Sequence, residues 1–159
     1  MTDRVDLILA SALGTELTRE EAEILDALMG SQKLVDDEYL ITESKSDDSL
    51  HILVKGKLEV VKNTGAGETA SLAVLRDGEL AGELSFIDGE PHTVALRALC
   101  DCLILSLTRK EFERIIDEHP QLVYKVMRAI ARSSHRIVHR MNLEFIELSN
   151  YVFKQHGRY

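Results

Sequence analysis

Six of the nine glycines in this sequence fall between Gly56 and Gly89, and from Pro120 to Gln155 no further glycine or proline occurs. Glycine lets the backbone make tight turns, and a run without glycine or internal proline permits a long helix. The chain is therefore expected to fold as a turn-rich middle followed by one long helix. The apolar pattern agrees. Leu50, Ile52, Val54, Leu58 and Val60 alternate with His51, Lys55, Lys57 and Glu59, and Val94, Leu96, Ala98, Cys100, Cys102 and Ile104 form a second alternating set. A period of two predicts strands with one buried face. Asn63-Thr64-Gly65, Gly67, Asp77-Gly78, Gly82, Asp88-Gly89 and Pro91 separate the strands as turns, which predicts an antiparallel roll or barrel.

The flanks read as helical. Thr18 followed by Glu21 fits a capping box, Ala22, Leu25, Leu28 and Met29 recur at helical spacing, and Gly30 reads as the stop. A short helix over 6–13 is expected before it. Thr108 and Glu111 form a second capping signature, followed by an apolar stripe at Phe112, Ile115 and Ile116. Pro120 then opens a run of about 35 residues, or roughly 50 Å of helix. Val123, Met127, Ile130, Ile137, Met141, Phe145, Leu148 and Val152 resemble a coiled-coil seam with one stutter. So long a stripe exceeds what a small β domain covers, and a homodimer through the 120–155 helix is expected. The resulting division is N-terminal helices at 1–33, a roll at 34–107 and C-terminal helices at 108–159, one domain overall.

The net charge of −8 is unevenly spread. Residues 120–159 carry seven basic side chains against Glu144 and Glu147, and the preceding residues carry twelve basic against twenty-five acidic, a net of −13. An acidic body thus meets a basic tail in which Arg128, Arg132, Arg136 and Arg140 recur every fourth residue. That strip reads either as a docking surface for nucleic acid, anionic lipid or acidic protein, or as a helix flank lying beside the acidic roll. The acidity of the body favours the flank, and DNA is not the expected partner. His135 and His139 have metal-ligand spacing but no third ligand nearby, so no metal is expected. Cys100 and Cys102 read as small buried hydrophobes on one strand face, and no disulfide framework is possible with two cysteines. The N-terminus lacks a signal-peptide pattern and no apolar run is long enough to span a membrane, so a reduced, cytoplasmic setting is expected. No Gly-x-Ser-x-Gly, His-Glu-x-x-His or P-loop pattern occurs, and catalysis is not expected.

The segment with chemical content is DGELAGELSFIDGEPHTVAL, residues 77–96. Gly82 lets backbone amides approach an anion, and the carboxylate of Glu83 can accept hydrogen bonds from sugar hydroxyls. Pro91-His92-Thr93 then returns a ring nitrogen and a hydroxyl, both able to bond phosphate. With DSLHILVKGKLEVV at 48–61 and TRKEFERIIDEHP at 108–120, this segment closely resembles the cyclic nucleotide-binding domain family, in its cAMP receptor protein and Fnr-like form. The resemblance runs from about Leu28 to Arg140. It implies a mainly β fold with flanking helices, in which a double-stranded β-helix (a jelly-roll-like β-roll) precedes a long C-terminal dimerisation helix. It also implies a phosphate-binding cassette at Gly82, Glu83, Leu84 and Ser85, with Glu83 on the ribose 2′-hydroxyl and His92, Thr93 and Val94 completing the site.

Three positions depart from the family pattern. His92 stands where arginine normally pairs with the cyclic phosphate, Val94 where a small residue is usual, and Ser44 at a usual glycine. Arginine is always charged and offers a fork of donors, whereas a neutral histidine offers one N–H. The expected function is a stand-alone regulatory module that senses cAMP or cGMP, needs no cofactor and signals through its C-terminal helix to a protein effector. The alternative is a dimeric interaction scaffold with a degenerate pocket, and a third reading is a DNA-associated regulator. The chain stops at Tyr159, where Crp/Fnr-type regulators continue into a helix-turn-helix domain, and a natural stand-alone chain is expected.

Overall fold

The computed structural model describes residues 3–156. The Asp3 carboxylate accepts the Val5 N–H at the start of α1 (Arg4–Ala10). Ser11 ends α1, and Gly14–Glu16 forms a separate 3-10 turn, so the expected 6–13 helix starts and ends earlier. The fold-back explains this. A Cβ on Gly14 would lie 2.3 Å from the Ile8 carbonyl oxygen, a packing only glycine allows. At α2 (Arg19–Leu28) the expected box is complete: Glu21 N–H donates to Thr18 Oγ1 at 3.2 Å, and Thr18 N–H to the Glu21 carboxylate at 2.8 Å. Gly30 opens strand β1 (Gly30–Leu34) rather than only stopping the helix.

The roll contains β2 (Tyr39–Ile41), β3 (Ser49–Lys55), β4 (Leu58–Gly65), β5 (Glu68–Leu75), β6 (Leu80–Ala81), β7 (Ala95–Ala98) and β8 (Cys102–Thr108). They form two four-stranded antiparallel sheets, ordered β1-β8-β3-β6 and β2-β7-β4-β5. This is the mainly β roll expected. Ala66 and Gly67 link β4 to β5, both at positive φ (53° and 78°), as a two-residue turn matched to strand twist requires.

Two apolar clusters hold the fold. One lies inside the roll and includes Ile41, Leu53, Leu58, Leu96 and Ile104. The other joins the outer face of the first sheet, through Leu50, Ile52, Leu105 and Leu107, to α1, α2 and the C-terminal helix. The sheet is thus covered on both sides, and the expected alternation fails. Leu50, His51, Ile52 and Leu53 are all buried, and His51, read as solvent-facing, is only 4 % exposed. The second alternating set is also interrupted. Val94 precedes β7, and Leu99–Asp101 form the connection to β8, so Cys100 and Cys102 do not share a strand face. Cys102 is buried and Cys100 half-buried in that connection.

Beyond β8 lie α4 (Arg109–Glu113) and α5 (Pro120–His156). Thr108 Oγ1 accepts the Glu111 N–H, but the Glu111 carboxylate pairs with Arg114 at 2.8 Å, so the second box is half formed. The 37-residue α5 is the long helix expected. Leu122, Val126, Ala129, Ile130 and Ser133 are the buried positions of its first turns, whereas from Val138 onward its large apolar side chains are exposed. The expected seam mixed two faces. Ile130 belongs to the domain core and Met127 packs against it, while Val138, Met141, Phe145, Leu148 and Val152 recur in alternating steps of three and four, with no stutter, and are exposed.

Candidate functional site

Gly82 turns the chain from β6 into α3 (Glu83–Asp88) at a φ of 72°. A Cβ there would meet the Ser49 carbonyl oxygen at 2.8 Å and the His51 ring at 3.3 Å, so both conformation and space demand glycine. The cassette residues read as a turn are therefore the first turn of a short helix, whose leading N–H groups have no carbonyl one turn back. At the other end, Gly89 (φ 75°) donates its N–H to the Ser85 carbonyl at 2.9 Å. Arg109 binds the Ser85 and Phe86 carbonyls at 2.7 and 2.8 Å, placing a cation at the negative end of the helix and tying it to the end of β8.

The connection from α3 back to β7 is positioned by the Ser44 turn. Ser44 N–H donates to the His92 carbonyl at 2.8 Å, and His92 N–H to the Lys45 carbonyl at 3.2 Å. Ser44 itself sits at a φ of 67°, left-handed backbone that serine adopts reluctantly. Lys62 donates to the Thr93 carbonyl at 2.6 Å and to Glu43 at 2.8 Å.

Gly82, Glu83, Leu84, His92, Thr93 and Val94 all line one cavity of about 570 Å³ between the roll and α5. Ser85 joins all six of them on a second, adjoining cavity of about 240 Å³. The seven residues read from the sequence are thus brought together, though differently disposed. Glu83, Ser85 and His92 are buried, Val94 is half-buried, and Leu84 and Thr93 are exposed. His92 Nδ1 and Ser85 Oγ lie 3.1 Å apart, whereas the buried His92 Nε2 has no partner among the described residues. Burial pushes the Glu83 carboxyl above the ordinary carboxylate range, with only a backbone hydrogen bond opposing it.

The resemblance implies that the C-terminal helix lids the pocket, but the sequence reading named no residue of that far wall. Ile137, Arg140, Met141 and Glu144 of α5 line the larger cavity, at spacings that put them on one helix face. Only the arginine strip hinted at this, and the structure divides that strip. Arg128 and Arg132 approach Glu16 at 3.6 and 2.9 Å, as a flank beside the acidic body would, while Arg140 reaches the cavity. His51 was missed too. Its ring bridges Ser106 Oγ and Asp47 Oδ2, both at 2.7 Å, beside a separate cavity of about 350 Å³. Burial raises the Asp47 carboxyl, but the His51 and Ser49 hydrogen bonds outweigh it and hold the group below its usual range. Among the described residues no group of three or more histidine, cysteine, aspartate or glutamate side chains is placed to hold a metal ion, and no helix is long and apolar enough to cross a membrane.

The family model for the cyclic nucleotide-binding domain matches residues 31–119. The chain belongs to the cyclic nucleotide-binding domain family. The catabolite activator protein of Thermus thermophilus superposes with a TM-score of 0.74 at 24% identity, covering 87% of this chain and 63% of that one. A cyclic nucleotide-binding domain from Methylobacillus flagellatus superposes at 0.73 and 22% identity, over 95% of this chain and 83% of that one. Neuropathy target esterase sws of Drosophila melanogaster is 28% identical over 134 residues, which is 80% of this chain but 9% of the esterase. A cyclic nucleotide-binding domain is a regulatory fold, and a match over so small a part of the esterase carries nothing of its catalysis to this chain.

Proposed function

We propose that this protein is a cyclic nucleotide-responsive regulatory module, whose roll takes cAMP or cGMP and whose C-terminal helix relays occupancy to a protein effector. The observation that carries the reading is the unpartnered Nε2 of His92. A buried ring nitrogen without a hydrogen bond is costly in an empty pocket and is satisfied by a ligand acceptor. It lines the same cavity as Gly82 and Glu83, whose volume of about 570 Å³ suits a mononucleotide. Within this reading the α3 amides, Ser85 and His92 hold the phosphate, Thr93 and Val94 complete that wall, and Glu83 accepts the ribose hydroxyl. Ligand contact with the α5 wall shifts the helix between two positions.

The uninterrupted heptad of α5 supports a homodimer as the signalling form. Val138, Met141, Phe145 and Leu148 are each at least half exposed in the single chain, and self-association buries them.

A second reading, a dimeric scaffold whose pocket no longer binds nucleotide, is favoured by one observation: histidine rather than arginine occupies the buried position after Pro91. Thermal unfolding with cAMP, cGMP, cyclic dinucleotides and AMP separates the two. A ligand at 100 times its Kd stabilises by about 2.7 kcal/mol, or roughly 5–11 °C for a domain of this size. No shift with either cyclic mononucleotide at millimolar concentration refutes the sensing role and leaves the scaffold.

A further inference from the structure

We infer that Arg140, carried by α5, supplies the positive charge that the cassette lacks, so that binding the anion and seating the helix are one contact. The inference rests on the nucleotide-binding reading above and names the residue on which its affinity depends.

The accounting of charge in the cavity leads there. Its lining holds two carboxylates, Glu83 and Glu144, one histidine and one arginine. Burial disfavours the charged form of Glu83, which lowers the repulsion an incoming phosphate meets. His92 offers a single N–H when neutral. Of the other cations near the cassette, Arg109 is engaged on the Ser85 and Phe86 carbonyls and Lys62 on Glu43 and the Thr93 carbonyl, while Lys45, whose carbonyl accepts the His92 N–H, does not line the cavity. Arg140 alone both lines the cavity and has no ion-pair or hydrogen-bond partner among the described residues.

The placement has a mechanical consequence. An arginine on the roll holds phosphate whatever the helix does. An arginine on α5 engages the phosphate only when α5 lies against the pocket, so the free energy of the contact goes directly into the helix position. Met141, the next residue, lines the cavity and also belongs to the exposed heptad, which links pocket occupancy to the dimer seam.

Titration calorimetry of the full chain with cAMP and cGMP tests this, using the wild type, Arg140→Ala, Arg140→Lys, His92→Arg and the His92→Arg/Arg140→Ala pair. Arg140→Ala is expected to weaken binding about 10- to 100-fold, with Arg140→Lys in between, because a charge-assisted bond to phosphate is lost. His92→Arg in the Arg140→Ala background is expected to restore affinity, since the charge returns on the roll. The exposed Arg140 contributes no core packing, and unchanged melting temperatures of the empty Arg140→Ala and Arg140→Lys variants check that. If the wild type binds and Arg140→Ala binds within twofold of it, the Arg140 inference is overturned while the sensing role stands. If the wild type binds neither nucleotide, the sensing role itself fails and the inference falls with it.

Discussion

Replacing His92 with arginine puts a permanent cation at the buried end of the cassette. The ring there is 9 % exposed, engages Ser85 through Nδ1 and leaves Nε2 unsatisfied. Two opposite effects follow. In the empty protein the new guanidinium is buried without a carboxylate facing it except Glu83, whose charged form burial already disfavours. Leaving such a group poorly paired costs about 1–3 kcal/mol, or roughly 2–12 °C in melting temperature. In the complex the same group forms charge-assisted, bidentate bonds with a phosphate, worth about 1.5–3 kcal/mol over a neutral donor. Affinity should therefore rise about 10- to 150-fold. Calorimetry at pH 7.5 and fixed ionic strength reads the affinity, and thermal unfolding with and without ligand reads both effects. The signature is a lower melting temperature empty and a larger ligand-induced shift. A variant that melts lower yet binds no better than the wild type would show that His92 does not face the phosphate.

Four further outcomes follow from the geometry. Glu83→Gln should raise the melting temperature of the empty protein near neutral pH. A carboxyl whose folded pKa is raised contributes stability below its unfolded pKa and loses it as pH rises through the folded value, so the gain should vanish in acid; equal gains at pH 4 and pH 8 would refute burial as the cause. Ser44→Gly should stabilise by about 1 kcal/mol, because glycine accepts the left-handed φ of 67° without strain; denaturant midpoints at constant slope check it. Phe145→Glu with Leu148→Glu should convert a dimer to a monomer in light scattering without lowering helix content, since both side chains are exposed in the single chain. Asp47→Asn should destabilise most above the acid range, because a carboxyl held low contributes stability that disappears as pH falls through its folded pKa; an unchanged pH profile of unfolding would contradict the His51–Asp47 bond.

The chain's order of elements was legible because its signals are local. The Thr18–Glu21 box, the Pro120 start and the glycine-free run of α5 each depend on residues within a few positions of one another. The cassette was legible for a related reason. Gly82, Glu83, Ser85 and His92 lie within eleven residues, so a single connection brings them to the smaller cavity together. The failures occurred where burial has two sources. A period of two records one covered face, but β3 is covered by the roll interior on one side and by helices on the other, so His51 vanishes into the core. The 94–104 alternation also continued in phase across a three-residue connection, which hid the break between β7 and β8.

By itself, then, the sequence determined the turn-rich roll, the helix that follows and the chemistry of the cassette, since backbone conformation, capping and residue type act over short distances. Only the tertiary structure decided which stripe of α5 meets the domain, which is exposed as a heptad beyond it, and that Arg140 arrives at a cavity whose other walls precede it by dozens of residues. Helical periodicity states that a face is buried without saying against what. On α5 two apolar faces overlap in sequence, and packing against the first sheet is what separates them.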